Sequence, residues 1–333
     1  MSQKATVVAP SNIALIKYWG TRDLERTLPF NPSLSITLRE CATRTTVETL
    51  AGAGTDEVLI KGEDGELREA SAAFSAGVTR HLDRLRSWAE VEDRFRVATV
   101  NTFPMGAGLA SSASGFAALA LATLAALDRQ VSPATSSSLA RESGSGSAAR
   151  SVMGGYVEWP GTGDKDGSAE QIFSADHWDL RDVIAILDTT EKRVSSRAGH
   201  KLAATSPYFE SRLEQLPGRL SSVRESIRDR DFARLAPVVE EEAIELHLIA
   251  MSSRPPIFYW QPGTLTVLEM ARDLRQSGVE ICASMDAGAN VHLICTPTVE
   301  ERVVASLQSL STVETVIRDG VGPGPYIDDQ HLF

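Results

Sequence analysis

PMGAGLASSASG, Pro104 to Gly115, decides the reading of this chain. A glycine-rich loop runs there straight into a small-residue stretch, Leu109 to about Leu127, that is apolar almost all round, as a buried central helix requires. Gly106 and Gly108 let the backbone turn with its N–H groups inward, and Ser111 and Ser112 add hydroxyl donors where the helix dipole is positive. A phosphate chain fits such a nest. The preceding RFRVATVN, Arg94 to Asn101, alternates as a strand does, which puts the loop at a strand-to-helix junction. Taken alone, a Gly/Ser loop before a helix is an ordinary capped turn, so the rest of the chain must support the reading.

A length of 333 residues, 42% hydrophobic and 23% charged, predicts a globular protein large enough for two domains around a shared cleft, and the order of strand-like and helical runs along it reads as α/β. The formal net charge of −11 argues against a general nucleic-acid partner, which needs a positive face. A polyanionic ligand would need a local basic pocket, for which Lys17, Arg22, Arg150, Arg193 and Arg197 are the candidates. Cys41, Cys282 and Cys295 are odd in number, widely spaced and without CxxC, which predicts neither disulfides nor structural zinc and points to a reducing, cytoplasmic setting. The amino terminus lacks an apolar core with a cleavage site, and no run of about 18 apolar residues occurs, so secretion and membrane spanning are disfavoured.

The first half, residues 1–181, opens with short strand-like runs, ATVVAP, LSITL and Arg44 to Leu50, followed by DEVLIKG. Phe74, Val78, Leu82, Leu85 and Trp88 recur at helical spacing and mark an amphipathic helix. After the Leu109 helix, another is expected at Ala134 to Glu142, then loop, turn and strand over GSGSAARSVMGGYVEW, with GTGDKDGSAE, Gly161 to Glu170, as a surface loop. The second half, 182–333, starts with the buried strand DVIAILDT. Helices are predicted at Pro207 to Ile227, Asp231 to Ala250 and Thr264 to Gln276, and VEICASMD and VHLICTP read as paired strands joined by AGAN. A helix, a strand and GVGPGPYI close the chain.

Five separated segments carry a family resemblance. They are APSNIALIKYWGTRD (Ala9 to Asp23), NTFPMGAGLASSASGF (Asn101 to Phe116), GSGSAARSVMGGYVEW (Gly144 to Trp159), VSSRAG (Val194 to Gly199) and SMDAGAN (Ser284 to Asn290), with RPPIFYW at Arg254 to Trp260 as a further likeness. In this order they resemble the mevalonate diphosphate decarboxylase family of the GHMP kinase superfamily. The resemblance implies an amino-terminal ribosomal protein S5 domain 2-like domain, 1–181, and a carboxy-terminal ferredoxin-like domain, 182–333, in a homodimer. It also implies that ATP, with Mg²⁺, phosphorylates the tertiary 3-hydroxyl of a 5-phosphorylated mevalonate, after which phosphate and carbon dioxide leave.

That chemistry assigns roles. Asp286, before the AGAN turn, would align the hydroxyl or take its proton, with Lys17 beside it holding the carboxylate ionised. Without the resemblance, an Asp before Ala-Gly reads as a turn-former. Arg150, six residues after Gly144, would clamp the substrate carboxylate, helped by Ser145 and Asn12; by itself it reads as a surface arginine. Tyr18, Ser147, Ser196 and Arg197 would hold the 5-phosphate end, whereas Trp19 reads as a core aromatic. ATP would lie along Gly106, Ala107, Gly108, Leu109, Ser111 and Ser112. The histidines at 81, 177, 200, 247, 292 and 331 form no metal-ligand spacing, and no metal held by protein side chains is expected.

Where the family reads KYWGKRD, this chain has KYWGTRD, with Thr21 replacing a lysine associated with the diphosphate. Losing that cation weakens hold on the terminal phosphate first, at about 1.5–3 kcal/mol per charge-assisted contact. The favoured substrate is therefore (R)-5-phosphomevalonate, giving isopentenyl phosphate, with (R)-5-diphosphomevalonate, giving isopentenyl diphosphate, as the alternative. Arg22, Arg193 or His200 could restore the charge from another direction. A mevalonate 3-kinase type of enzyme that stops before decarboxylation, and a relative that only binds nucleotide, are the other readings.

Overall fold

The computed structural model describes residues 3–52, 54–62, 64–103, 111–161, 167–190 and 192–333. Its first sheet is built on two long antiparallel strands, β1 (Lys4–Ile16) and, after a small hairpin of β2 (Thr21–Asp23) and β3 (Leu28–Pro29), β4 (Ser33–Leu50). Where the sequence predicts several short strands, the structure has two long ones. The polar residues that look like strand ends are buried and satisfied instead: Thr6 and Thr46 share a hydrogen bond of 2.7 Å across the pair. Register shifts at Pro10/Asn12 and Ala14/Ile16 bend β1 without ending it.

β5 (Glu57–Lys61) and β6 (Leu67–Glu69) extend the sheet, joined by α1 (Ala72–Ala89) to β7 (Arg94–Asn101), which pairs with β4. In α1 only the middle of the predicted stripe is buried. Val78, Leu82 and Leu85 face the core, whereas Phe74 and Trp88 lie exposed at its ends. α2 (Ser111–Ala126) lies across β1 and β4, and its buried alanines, among them Ala113, Ala117 and Ala120, let the backbones approach closely. α3 (Pro133–Arg141) and a 3-10 turn, Gly146–Ala149, lead to β8 (Tyr156–Trp159) and β9 (Glu170–Phe173). Residues 162–166 of the predicted surface loop lie outside the described residues. The loop's far end is not a surface segment: Ala169 is buried and its N–H donates to Ser137 Oγ at 2.8 Å, and Trp159 Nε1 donates to the Gly167 carbonyl.

The second half forms a four-stranded antiparallel sheet. β10 (Arg181–Ile186) is followed by α4 (Ser196–Leu202), α5 (Phe209–Asp229), α6 (Phe232–Ser252) and α7 (Pro262–Gln276). Then come β11 (Ile281–Ser284), β12 (Val291–Cys295), α8 (Glu300–Gln308) and β13 (Thr315–Gly320), in the order β11-β12-β10-β13. Val183 and Ala185 pack toward α7 and α8. On the opposite face Ile184 and Ile186 share a core with Leu216, Leu220 and Val223 of α5, Leu235 and Val239 of α6, and Ile13, Leu15 and Leu34 of the first sheet. Each such fully buried side chain contributes about 1.5–3 kcal/mol, and this shared core fixes the end of β1 against α5 and α6. The chain then returns: β14 (Tyr326–Ile327) pairs with Val7 and Val8 of β1. Among the described residues no helix is long and apolar enough to cross a membrane.

Candidate active site

Lys17 follows the last residue of β1 and is buried, with 1% of its side chain exposed. Its Nζ donates to Ser284 Oγ at 2.7 Å and to Asp286 Oδ1 at 3.0 Å. The Ser284 hydroxyl, at the end of β11, donates onward to the Ala14 carbonyl at 3.0 Å, so its lone pair is aimed at the ammonium. Asp286 sits in the turn between β11 and β12, where buried Met285 and Ala287 on either side anchor the backbone and the Asp286 carbonyl accepts the Gly288 N–H at 2.7 Å. Its carboxylate keeps 29% exposure, toward a cleft of about 460 Å³. Burial pushes its pKa up, but the Lys17 charge and hydrogen bond, with His292 and Arg150 nearby, win and hold it below the usual carboxylate value. For Lys17 burial dominates and lowers the ammonium pKa, with Asp286 and Glu242 opposing.

Arg150 caps the 3-10 turn and is 2% exposed. Its Nε donates to Ser35 Oγ at 3.0 Å, Nη1 to the Ser33 hydroxyl and Nη2 to Asn12 Oδ1 at 3.1 Å. Asn12 is in turn fixed by donating to Ser151 Oγ at 2.8 Å and the Ser147 carbonyl at 3.2 Å. Among the described residues the guanidinium thus has neutral partners and no carboxylate pair. Burial lowers its pKa to about 10, with Asp286 and Tyr18 acting the other way. A buried cation without a counter-ion is costly, and an arriving anion relieves the cost.

Tyr18 OH and Thr21 Oγ1 share a 2.5 Å hydrogen bond, and the Tyr18 ring stacks on His200 with centroids 4.0 Å apart. Burial raises the Tyr18 pKa to about 12, keeping the phenol protonated. His200 Nδ1 accepts the Gly20 N–H at 3.1 Å, and burial drives the ring to about 3, so it is neutral and supplies no cation. Arg22 is exposed and donates to Pro29 O at 3.0 Å within its own hairpin. Of the three groups that could restore the charge lost at Thr21, His200 is thus neutral, while Arg22 and Arg193 are exposed. Lys192 was not singled out in the sequence, yet it lines the cleft with Asp286, and burial lowers its pKa. Its only signal is its place beside Arg193, just ahead of VSSRAG.

Ser111, Ser112, Ser147, Ser195 and Ser196 line the same cleft as Lys17, Tyr18, Arg150 and Asp286. Ser145 lies just behind, 3.2 Å from Ser112 Oγ and 3.4 Å from Ser147 Oγ. Arg197 is exposed, its guanidinium so close to Gly144 that a Cβ there would stand 3.2 Å away. Thr21 reaches the cleft through Tyr18, and Asn12 through Arg150 and Ser147. Trp19 is a core aromatic, as expected, at 1% exposure, and it is also among the residues that line the cleft. Gly106, Ala107, Gly108 and Leu109 lie outside the described residues.

Comparison with known proteins finds two family matches along the chain. Residues 9–170 match the diphosphomevalonate decarboxylase-like N-terminal domain and residues 182–324 the mevalonate 5-diphosphate decarboxylase C-terminal domain. The chain is 34% identical to diphosphomevalonate decarboxylase of Aspergillus fumigatus, over 99% of this chain and 95% of that one. To phosphomevalonate decarboxylase of Haloferax volcanii it is 33% identical over 99% of both. A solved structure, MDDEF in complex with MVAPP, AMPPCP and magnesium, superposes with a TM-score of 0.91 at 35% identity, covering 99% of this chain and 100% of that one. With a GHMP kinase-type fold and a cleft that joins Lys17, Arg150 and Asp286, the chain belongs to the mevalonate diphosphate decarboxylase family and is a decarboxylase of the mevalonate pathway.

Proposed function

We propose that this enzyme phosphorylates the 3-hydroxyl of (R)-5-phosphomevalonate with ATP and then releases phosphate and carbon dioxide to give isopentenyl phosphate. The observation that carries the reading is Arg150: a buried guanidinium held by neutral side chains, facing the same cleft as the Lys17–Asp286 pair. A kinase of the same fold needs an aligned carboxylate but has no use for an anion clamp set against the reacting hydroxyl. Asp286, ionised at neutral pH, accepts the hydrogen bond of the tertiary alcohol and orients its oxygen toward the γ-phosphate. Lys17 and Lys192 offset charge on the transferring group. Arg150, kept in place by Ser33, Ser35 and Asn12, holds the substrate carboxylate anionic, so that the C–C bond electrons flow to the carbon losing phosphate. Ser145 supports that clamp.

Tyr18, Ser147, Ser196 and Arg197 take the 5-phosphate end, and ATP enters along 106–112, where Ser111 and Ser112 offer hydroxyls to its phosphates. The hydroxyls and carboxylate lining the cleft are hard oxygen donors of the kind Mg²⁺ prefers, with Ser111 and Ser112 beside the phosphates it accompanies. When bound with the nucleotide, Mg²⁺ offsets phosphate charge. The monophosphate is favoured because Thr21 spends its hydroxyl on Tyr18, His200 is neutral and Arg22 is engaged in its hairpin. The buried free cysteines support a reducing, cytoplasmic setting, and the family resemblance supports a homodimer of two-domain chains divided near residue 182.

The test is kcat/KM for 5-phosphomevalonate and 5-diphosphomevalonate side by side, with ADP and CO₂ both followed. Equal ADP and CO₂, with the monophosphate faster, supports the proposal. A faster diphosphate overturns the substrate assignment, and ADP without CO₂ makes this a kinase.

A further inference from the structure

Lys17 is the point where β1 leaves the sheet: Ile16 is the last residue paired with β4, so the Lys17 N–H and C=O need partners elsewhere. Both find them in a buried ionic cluster on α5 and α6. Glu242 Oε2 accepts the Lys17 N–H at 3.0 Å and Arg212 Nη2 at 2.9 Å, and the same Nη2 donates to the Lys17 carbonyl at 2.9 Å. Asn31 Nδ2 adds a second donor to that carbonyl at 2.9 Å, and Arg219 Nη1 holds the other Glu242 oxygen at 2.9 Å. Glu242 is 0% and Arg212 1% exposed.

We propose that Glu242 and Arg212 are positioning residues that clamp both backbone polar groups of Lys17, and so aim its ammonium at Ser284 and Asp286; this rests on the role of Lys17 proposed above. A buried ion pair gains little stability over an apolar substitute of the same volume. A carboxylate and a planar fork do, however, specify direction at a residue no strand ladder holds. Glu242 also adds negative charge next to a desolvated ammonium. The charged and titratable groups facing Lys17 are Asp286 from the β11–β12 turn, Glu242 and His247 from α6, Arg212 from α5 and Arg150 from the 3-10 turn.

The experiment measures kcat, KM and the pH profile of ADP and CO₂ release for Glu242→Gln and Arg212→Lys beside the wild type, at the faster of the two phosphorylated mevalonates. For Glu242→Gln, kcat falls about 10- to 100-fold with both KM values little changed. Its alkaline limb moves to lower pH, because the Lys17 ammonium has lost a supporting charge. Arg212→Lys keeps the charge and loses the fork, so kcat falls while the limb stays; it also decides the matter if Glu242→Gln does not fold. Wild-type kcat in Arg212→Lys, or a folded Glu242→Gln with both kcat and alkaline limb of the wild type, overturns the inference. A wild type that releases no CO₂ refutes the proposed function instead, a result that the variant-to-wild-type ratio does not share.

Discussion

Asp286, Lys17 and Arg150 are three charged side chains in one cleft, and substitution separates the three tasks proposed for them. Asp286→Ala is expected to lower kcat about 10²- to 10⁴-fold while nucleotide affinity stays within a few-fold; equilibrium binding of an ATP analogue checks this, and a large loss of affinity would reassign the residue. Arg150→Lys keeps a cation but cannot satisfy Ser33, Ser35 and Asn12 together, so kcat/KM should drop about tenfold to a hundredfold, the worth of one or two charge-assisted hydrogen bonds. Thr21→Lys is expected to move the kcat/KM ratio toward the diphosphate by about tenfold, and an unchanged ratio would remove Thr21 from specificity. At this scale the sequence already singled out Lys17, Arg150 and Asp286, which the structure brings to one cleft, because each sits in a segment with a recognisable order. Lys192 was invisible beside Arg193, since nothing in EKRV says which of two adjacent cations turns inward.

Among the elements, those that carry the site are held by close backbone approaches. Gly154, between the 3-10 turn and β8, faces the returning tail so tightly that a Cβ would stand 2.2 Å from the Gly324 nitrogen and 2.6 Å from the Pro323 carbonyl carbon. Gly154→Ala is therefore expected to destabilise the protein by about 1–3 kcal/mol, read as a lowered midpoint in urea unfolding; an unshifted midpoint would mean the tail is free to move away. The glycines of GVGPGPYI thus serve packing, a purpose the sequence pattern did not disclose. Helix positions were legible because α5, α6 and α7 carry their periodicity locally and α2 is one long run of small apolar residues. The long strands were not, because the buried threonines, serines and Asn12 of β1 and β4 mimic the polar breaks between short strands.

The whole molecule has an acid-sensitive interior. Burial drives His81 to about 3, with Arg84 adding to it, and His247 likewise to about 3, with Lys17 adding to it. Both rings are neutral when folded and take up protons only on unfolding as pH falls below their ordinary value near 6.5. Stability is thus complete above that value and declines as pH drops toward the folded pKa. About 1.4 kcal/mol is lost per histidine at roughly one unit below 6.5, or about 3 kcal/mol for the two, and His200, likewise driven to about 3 by burial, adds to the loss in the same direction. Chemical denaturation at pH 7.5 and 5.5 measures this, and equal unfolding free energies would show that these rings protonate in the folded state. Residue types and their local period determined the helices and the order of the family's segments, since each is written within a few neighbours along the chain. Only the tertiary structure decided that His200 is neutral, that Arg150 lacks a carboxylate partner among the described residues, and that Glu242 and Arg212 grip Lys17 from 225 and 195 residues away. Charge state and direction depend on burial and on partners from distant elements, and no local pattern encodes them.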